Sequence, residues 1–580
     1  MKNKFVIPTE SKVDIPNGLI PIYVGPWCKK EFHTRSSCDL SYSWKLFCSE
    51  KEKSIFFQEF KNNFYILLDL LHEEMNYIHG TKISKNGWLI ILGHWLMLHV
   101  SAVLDRVARA WHVRNVFADE GYAPYIEISP PVPLDTQEYA KMIVSDDYNL
   151  WIYSEIFKKI GMDGIGVSSG NNFNIEIREA SKVKPYARIS EYITPLLASV
   201  FGGCYIRDSG FSRRELLKFM VGSYGTIAPI SGRKEGLPYV GVDLSLRKDL
   251  YERVKGKFIK NNFPISLTID TIPIVYLEGF SNLSDRVRKR WPVGGRKILS
   301  STGWYSDEQC KLWMATQKDR GVEIIGTPHG GNYGSLKNMF PEEIEKIICD
   351  KYYTWGKSCR DNDANFAMSP RLISTILGSR RIKKVRQSRC ILFCGTAFRK
   401  YGYYPFSFAE DHYEYLELQK KFFSNLNNNT LSKLRFRPHI SHFNSGMLRC
   451  VREIVPDLYI EDWSRNFLSS LVNCELYVAD HLSTTYSHAL ALGKPFILFW
   501  KKEHYLIKQE LSDVFRLLEN CGVLMDDPCV AADRINYIVE NGIADWWNQD
   551  EIQSSVKYFR ERVACVSDDF MGQWMRVLSV

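Results

Sequence analysis

The feature that most constrains the fold is an alternation of short apolar runs and helical segments that begins near residue 295. Lys297–Ser301 and Val322–Ile325 have the pattern of strands. The segment between them, Asp307–Arg320, has an acidic start and a basic end that suit a helix dipole. Two strands joined through a helix form a βαβ unit, and such units build parallel sheets. This region is therefore predicted to be α/β.

The same alternation restarts after a basic, polar connector at Ser379–Arg389. Four further strand-like runs follow it: Cys390–Cys394, Leu434–Arg437, Glu475–Asp480 and Pro495–Trp500. Two sheets separated by a connector predict two Rossmann-like domains that face a cleft, with ligands at the carboxyl ends of the strands. We expect the hinge between the domains at the connector.

The chain is predicted to divide into three parts. Its 580 residues are too many for a single core. Residues 1–385 are expected to form an N-terminal domain with a helical elaboration, and residues 386–545 a C-terminal domain. Residues 546–580 are expected to form a helical segment that packs back on the N-terminal domain.

The helical elaboration contains one segment that could be taken for a membrane span. Gly87–Leu104 runs for 18 residues without a formal charge, which is long enough to cross a bilayer. However, His94 and His99 interrupt it, and Asp105 follows at once. A buried helix explains the segment better, within a predicted helix over Trp88–Arg109.

Charge and cysteine usage narrow the class of protein. A formal net charge of +9 over the whole chain suits anionic ligands or an anionic membrane surface, but not the dense basic stripe of a nucleic-acid-binding protein. The 14 cysteines form no CxxC pair, so a structural zinc site is not expected. No apolar signal core follows the first charged residues. We expect a cytoplasmic protein, with peripheral association at the inner membrane as a further option.

The strongest candidate motif runs from Asp480 to Pro495, where a strand meets a helix through a hydroxyl-rich turn. The hydroxyls of Ser483, Thr484 and Thr485, with the N–H groups at the helix start, have the chemistry to bind a phosphate. The alternative is ordinary N-capping of the helix. Three successive hydroxyls favour phosphate binding.

A second candidate motif begins at His329, where a glycine-rich loop, His-Gly-Gly-Asn-Tyr-Gly, follows a strand. Its glycines allow a ligand to approach the backbone closely, and His329 would project from the strand end. The alternative is a glycine turn with a surface histidine. Placement at the carboxyl end of a parallel strand favours a functional role.

The C-terminal sheet offers two further loops. Arg437 and His439 lie at a strand exit, where cations can meet a nucleotide phosphate, although a solvated basic edge is an equal alternative. Gly395 and Thr396 form the matching first loop of the same sheet. We predict that all four residues contribute to the same phosphate-binding edge.

Carboxylates for the chemistry are expected in the N-terminal domain. Asp270 and Glu278 lie in the apolar run Leu267–Phe280, where an acid is unexpected unless it is paired or functional. The catalytic candidates are therefore Glu278, His329 and Asp270. The structural alternative for Glu278 is an ion pair with a nearby arginine such as Arg286 or Arg288.

Several spaced motifs together resemble a known family. They are Gly25-x-Trp-Cys28, Trp88-x-x-x-Leu-Gly-x-Trp-Leu96, His329-Gly-Gly-x-Tyr-Gly334, Asp350-x-Tyr-x-Thr-Trp-Gly356 and Ser483-Thr-Thr485. With these motifs, most of the chain resembles the transferase family first named from leptospiral genomes and found in bacterial surface-polysaccharide gene clusters. It is more distantly similar to capsule-type transferases that use CMP-activated ulosonic acids such as Kdo or sialic-like sugars.

The resemblance implies a GT-B fold and a sugar-nucleotide donor, and it makes a CMP-linked acidic sugar a candidate. It would make residues 1–385 the acceptor-side domain and residues 386–545 the nucleotide-sugar-binding domain. The donor nucleotide is then expected at Gly395, Thr396, Arg437, His439 and Ser483–Thr485. It also implies a reaction without a metal or other cofactor. The expected function is transfer of a sugar from this donor to a bacterial surface glycan or glycolipid, such as a lipopolysaccharide, capsule or O-antigen precursor. The alternatives are a sugar-nucleotide epimerase and a catalytically inactive scaffold that binds glycans or nucleotides.

Overall fold

The structure is a computed structural model of the chain. It describes residues 2–579 except 11–12, 29–45, 48, 168–199, 201–202, 231–239, 259–262, 357–364, 384–389, 397–400, 403–411 and 441–446. The last part of the predicted connector therefore lies outside the described residues. Within the described part, three parallel sheets follow one another along the chain.

The first sheet lies at the N-terminus. Its strands are β1 (Lys4–Ile7), β2 (Ile20–Tyr23), β3 (Gly121–Tyr125) and β4 (Gly164–Gly166), in the spatial order β2-β1-β3-β4. Four helices accompany them: α1 (Glu50–His79), α2 (Lys85–Phe117), α3 (Thr136–Met142) and α4 (Asp146–Lys159). This sheet belongs to the region predicted as a helical elaboration, which is thus an α/β unit in itself.

Helix α2 contains the apolar segment that is long enough to span a membrane. Its length and hydropathy alone meet the requirements for a span, but 94% of the apolar window is buried inside the protein. The side chains of Trp88 and Trp95 are fully buried. The prediction of a buried helix is therefore supported, and α2 serves as the central core helix of the N-terminal half.

The second sheet contains β5 (Cys204–Ile206), β6 (Ile227–Pro229), β7 (Lys297–Ser300), β8 (Glu323–Gly326) and β9 (Lys351–Tyr352). All pairs are parallel, in the order β6-β5-β7-β8-β9, which is the flavodoxin-like order of a doubly wound sheet. Its helices are α5 (Arg213–Gly222), α6 (Leu244–Lys255), α7 (Ile265–Asp270), α8 (Phe280–Arg290), α9 (Glu308–Lys318) and α10 (Phe340–Ile348).

The third sheet lies in the C-terminal part. Its strands are β10 (Cys390–Cys394), β11 (Leu434–Arg437), β12 (Tyr459–Ile460), β13 (Cys474–Ala479), β14 (Phe496–Phe499) and β15 (Leu524–Met525). The order β12-β11-β10-β13-β14-β15 is the classic Rossmann order. Strands β7 and β10 lie in different sheets, as the alternation in the sequence predicts.

The remaining helices surround the third sheet. They are α11 (Pro370–Ser379), α12 (His412–Asn425), α13 (Asn428–Lys433), α14 (Met447–Ile454), α15 (Phe467–Asn473), α16 (Thr484–Ala491), α17 (Ser512–Asn520), α18 (Pro528–Asn541), α19 (Ile543–Trp547), α20 (Asp550–Val563) and α21 (Phe570–Leu578). Two of them, α11 and α21, also contact the second sheet. Short 3-10 helices occur at Pro26–Cys28, Gly256–Phe258, Ile274–Tyr276, Lys502–His504 and Gln509–Leu511.

Two helices connect the second and third sheets. On α11, Thr375 bonds to His488 of α16, whereas Ser374 bonds to the loop that follows β5. At the end of the chain, the Trp574 ring of α21 donates its N–H to Met368 O and packs edge-on against Phe211. The chain thus crosses back from the third sheet to the second.

These features confirm the predicted fold class. The second and third sheets are Rossmann-like units, and their adjoining faces share one continuous apolar core. A pair of such units with a C-terminal helix that returns to the first of them is the GT-B arrangement, preceded here by a helical N-terminal region with its own small sheet.

Candidate active site

Two of the predicted motifs meet between the second and third sheets. The glycine-rich loop that follows β8 lies against the start of α16, which follows β13. Gly331 N donates to Thr484 Oγ1 at 3.3 Å, and the Tyr486 hydroxyl donates to Gly331 O at 2.7 Å. Both loops leave the carboxyl ends of parallel strands, which is where ligands bind in open α/β sheets.

The two glycines after His329 allow this close approach. A Cβ on Gly331 would lie 2.8 Å from Ser483 O and 3.0 Å from Thr484 Cα. A Cβ on Gly330 would lie 3.3 Å from Thr484 Oγ1. Gly331 is therefore required at this contact between the two units, whereas at Gly330 the nearest neighbour is a side-chain hydroxyl; neither glycine has a left-handed backbone.

The N-terminus of α16 is open to a ligand. Ser483 occupies the N-cap position in an extended conformation, but its side chain makes no capping hydrogen bond. The N–H groups of the first turn of a helix have no partners within the helix, and they carry the positive end of its dipole. The half-buried Ser483 hydroxyl and these N–H groups could hold a phosphate together.

The hydroxyl of Thr485, two residues after Ser483, already makes a hydrogen bond within the protein. His481 Nδ1 lies 2.9 Å from Asp480 Oδ1, and His481 Nε2 lies 3.0 Å from Thr485 Oγ1. If Nδ1 carries the proton and donates it to the carboxylate, Nε2 accepts from the threonine hydroxyl. Thr485 thus fixes the turn that positions Ser483, and its proton is not available to a ligand.

Asp480 also holds the first loop of the third sheet. Its carboxylate accepts the backbone N–H of Thr396 at 3.1 Å and the hydroxyl of Tyr415 at 2.6 Å. Gly395 lies against this cluster, where a Cβ would be 3.2 Å from the Phe436 ring. The structure therefore brings Gly395 and Thr396 to the same edge as Ser483, as the parallel strands predict.

Arg437 was predicted to meet the donor phosphate, but its guanidinium is paired inside the protein. Its guanidinium lies 3.2 Å from Glu461 and donates to Arg465 O at 3.1 Å, and it packs over the Trp463 ring. Arg437 and Glu461 are both buried. Because its charge is compensated inside the protein, Arg437 supports the strand end. His439, two residues later, packs edge-on against the same Trp463 ring.

His329 projects into the region between the sheets. Its ring lies 5.0 Å from the rings of both Tyr305 and Tyr333. Among the described residues, Nδ1 has no hydrogen-bond partner, and it lies 3.8 Å from Glu345 Oε1. Burial, with a further contribution from Arg371, lowers the pKa of His329 to about 3. The imidazole is therefore neutral near pH 7 and has a free nitrogen.

Glu345, on α10, is the carboxyl group that lies closest to this histidine ring among those described above. Its carboxyl group is buried and accepts hydroxyl hydrogen bonds from Tyr305 at 2.6 Å, Tyr333 at 2.8 Å and Tyr352 at 2.7 Å. Burial raises the pKa of Glu345 to about 7, although the three hydroxyls act in the opposite direction. A carboxyl group that titrates near neutrality thus lies beside a neutral imidazole, which is an arrangement suited to proton transfer.

Arg371 places a cation beside the same site. It is exposed at the start of α11, and its charge lowers the pKa of both His329 and His488. One turn later, Thr375 lies 2.7 Å from His488 Nδ1, which fixes this face of α11 against α16. Within the described part of the chain, Arg371 has no acidic partner, so its charge remains available to an anion.

The acids predicted from the apolar run lie in a separate cluster. Glu278 and Arg247 form a bidentate ion pair, with N–O distances of 2.7 and 2.9 Å and side chains only 3% and 4% exposed. Arg247 also donates to Asp270 O at 3.3 Å. Burial raises the pKa of Asp270 to about 6. In the described residues, neither carboxylate bonds to His329 or α16, so the geometry favours the structural alternative, with Arg247 as the partner.

The sequence interpretation missed three contributors to the site. Glu345 lies in an acidic helix that looks solvent-exposed in sequence, and Arg371 belongs to no motif. His94 of α2 packs edge-on against Tyr305 at 4.4 Å, so the N-terminal elaboration reaches the site. Tyr333, which lies within the glycine-rich motif, was the only part of this cluster that the sequence motifs indicated.

Among the described residues, no group of three or more His, Cys, Asp or Glu side chains could hold a metal ion.

Comparison with known proteins identifies the family. A model described as "LIC12162 family transferase" matches residues 4–578, which is nearly the whole chain. The chain belongs to the LIC12162 family. This match confirms the predicted resemblance to a transferase family. No curated protein matches the sequence.

Solved structures match only distantly. The wall teichoic acid polymerase TagF is 10% identical with a TM-score of 0.34, over 68% of this chain and 95% of that chain. A Listeria monocytogenes protein named for UDP-N-acetylglucosamine 2-epimerase activity is 10% identical with a TM-score of 0.35, over 63% and 92%. WaaG, a glycosyltransferase of lipopolysaccharide biosynthesis, is 7% identical with a TM-score of 0.29, over 65% and 99%.

These similarities do not identify a substrate for this member of the LIC12162 family. None of the three structures is named for a CMP-dependent ulosonic acid transferase, so that more distant resemblance stays a prediction. The site must therefore be interpreted from its own geometry.

Proposed function

We propose that this protein is a glycosyltransferase that moves a sugar from a nucleotide-activated donor to a glycan or lipid-linked acceptor. The observation that carries the proposal is the contact between the His329 loop and the uncapped N-terminus of α16. It brings a neutral imidazole and an anion-binding helix end together, at the carboxyl ends of two Rossmann-like sheets. In glycosyl transfer from a nucleotide, the first can accept the proton of the acceptor hydroxyl and the second can stabilise the leaving phosphate.

In this proposal, the donor nucleotide binds at the edge of the third sheet. Its phosphate would lie on the N–H groups at the start of α16 and on the Ser483 hydroxyl, with Arg371 at the side. These groups stabilise the negative charge that develops on the leaving phosphate, and they do so in a partly desolvated site. The Gly395–Thr396 loop lies at the same edge and is placed to contact the rest of the nucleotide.

The acceptor belongs to the second sheet and the N-terminal unit. An acceptor hydroxyl attacks the anomeric carbon, the bond from that carbon to the phosphate oxygen breaks, and His329 takes the hydroxyl proton. Glu345, once ionised, stabilises the imidazolium that forms, since its Oε1 lies 3.8 Å from His329 Nδ1. His94 of α2 packs edge-on against Tyr305, which itself lies beside His329.

For the donor class we propose a CMP-activated ulosonic acid, such as a Kdo-like or sialic-like sugar. Such donors carry a carboxylate as well as a phosphate. Arg371, which has no acidic partner among the described residues, supplies a guanidinium suited to a second anion. Bacterial surface glycans and glycolipids are the corresponding proposed acceptors.

The test is a donor screen with two separate readouts. Wild-type protein and His329→Ala are incubated with CMP-, UDP- and GDP-activated sugars; nucleotide release and nucleotide affinity are then measured. We expect His329→Ala to lower the rate of nucleotide release by about 10²-fold or more, the usual scale for a general base, while affinity stays within a few-fold. His72→Ala, a histidine on α1 outside the site, is the matched control.

Other outcomes identify the alternatives. Formation of an epimer of the donor sugar would assign the cleft to an epimerase. Nucleotide binding without release or transfer would assign it to an inactive scaffold. Equal rates for wild type and His329→Ala would remove His329 from the chemistry.

A further inference from the structure

Helix α5 presents an unusual surface at the edge of the second sheet. It leads into β6, an edge strand of that sheet, and its outer face exposes large apolar side chains. Leu217 is 54% exposed, Val221 is 65% exposed, and Tyr224, just beyond the helix end, is 94% exposed. No other part of the described chain covers these side chains.

Three cations lie on the same face. Arg213, Arg214 and Lys218 are all exposed, and at 3.6 residues per turn they share with Leu217 and Val221 an arc of about 140°. We call these five residues and Tyr224 the α5 face. Its charge is not balanced within the helix, because the one acid of α5 points elsewhere.

The inner side of α5 is firmly attached. Glu215 is buried and accepts Ser212 N at 2.7 Å and the Ser374 hydroxyl at 2.9 Å. Phe219 is fully buried and its ring lies 4.9 Å from that of Phe211. The outward orientation of Leu217 and Val221 is therefore fixed by the core and does not result from a loosely held helix.

Tyr224 adds an independent observation. Its backbone φ is +52°, in the left-handed region that bulky residues rarely adopt. The turn is held by hydrogen bonds from Tyr224 N to Val221 O and from Gly225 N to Met220 O. A strained tyrosine whose ring packs on nothing in the described fold indicates that the ring has a use outside it.

We propose that the α5 face docks on a bilayer that contains anionic lipids. A helix that lies in a membrane surface has three characteristic features. Its apolar side chains enter the interface, its Arg and Lys side chains lie near the headgroups, and a tyrosine often lies at the same level. A second copy of the chain is disfavoured as the occupant, because a twofold contact would bring like charges together. The proposal does not depend on the proposed glycosyl transfer.

The test is co-sedimentation of the full chain with vesicles of phosphatidylcholine alone and of phosphatidylcholine mixed with phosphatidylglycerol. We expect binding to the mixed vesicles, which added salt weakens. Lys218→Gln should lower the partition coefficient about fivefold, the usual effect of one cation near an anionic surface. Leu217→Ser with Val221→Ser should lower it at least about tenfold.

The matched control is Val530→Ser with Tyr537→Ser on α18, where both side chains are similarly exposed, at 55% and 57%. This variant should bind as wild type does. Equal wild-type binding to the two vesicle types, or unchanged binding of the α5 double variant, would overturn the proposal. A wild-type dimer that the α5 double variant abolishes would assign the face to self-association. The comparison of wild-type binding to the two vesicle types tests the proposal even if a variant fails to fold.

Discussion

The contact between the two Rossmann-like units can be tested with one added methyl group, in Gly331→Ala. Since the Gly331 backbone is not in the left-handed region, the substitution acts only through space. The new Cβ would lie 2.8 Å from Ser483 O and 3.0 Å from Thr484 Cα, and ordinary contacts begin near 3.4 Å. Both obstacles are backbone atoms, which cannot rotate away.

The loop and α16 must therefore separate by a few tenths of an ångström or more. Overpacking of this kind costs about 1–3 kcal/mol. The shift would also lengthen the bond from Gly331 N to Thr484 Oγ1, which is already 3.3 Å. We expect a lower melting temperature and weaker nucleotide binding in the same variant, since the helix end that would hold the phosphate moves.

The assays are differential scanning calorimetry and isothermal titration with the nucleotide. Gly256→Ala is the control, because that glycine has a right-handed conformation and nothing lies within 4 Å of an added Cβ. Wild-type stability and affinity in Gly331→Ala would refute the close approach of the two motifs.

Three further predictions concern the hydroxyls of Ser483 and Thr484, the carboxyl group of Glu345, and the ion pair of Glu278. Ser483→Ala combined with Thr484→Ala should weaken nucleotide binding by about 1–3 kcal/mol in calorimetry, and unchanged affinity in the folded variant would remove these hydroxyls from the site. Turnover should rise as Glu345 ionises through about pH 7, and Glu345→Gln should abolish that rise. Because folding raises the pKa of this carboxyl group, its contribution to stability is complete below the ordinary pKa and is lost as pH rises through 7, so Glu345→Gln should also flatten the pH dependence of unfolding. Glu278→Gln should lose about 3 kcal/mol or more of unfolding free energy in urea titrations, because Arg247 stays buried without its anion, while nucleotide affinity is unchanged.

The central strands of the second and third sheets were predictable because most of them are short, largely buried apolar runs. Cys390–Cys394 and Phe496–Phe499 are buried at every position, which is why hydrophobicity alone locates them. The small N-terminal sheet was less accessible to this reasoning. Its strand Gly121–Tyr125 lies before the apolar residues Ile126 and Ile128, so the pattern near this position does not mark the strand itself.

The site was predictable only where a motif is local. The glycine loop and the Ser/Thr turn each follow a strand, so their chemistry can be recognised in sequence, but their mutual contact spans 153 positions. The roles of the other candidate residues depend on ion-pair partners that lie far away in the sequence. Arg437 pairs with Glu461, and Glu278 pairs with Arg247, which precedes it by 31 residues, instead of with the arginines that follow. No local pattern carries that information.

The account's central claim is that a nucleotide phosphate binds at the start of α16, opposite His329. A crystal structure of the protein soaked with the nucleotide that binds best in calorimetry tests it most directly. We predict phosphate density within hydrogen-bond distance of the first N–H groups of α16 and of the Ser483 hydroxyl, on the side that faces the His329 ring. Nucleotide density elsewhere, such as at the strand ends of β1 and β3 in the N-terminal sheet, would contradict the claim.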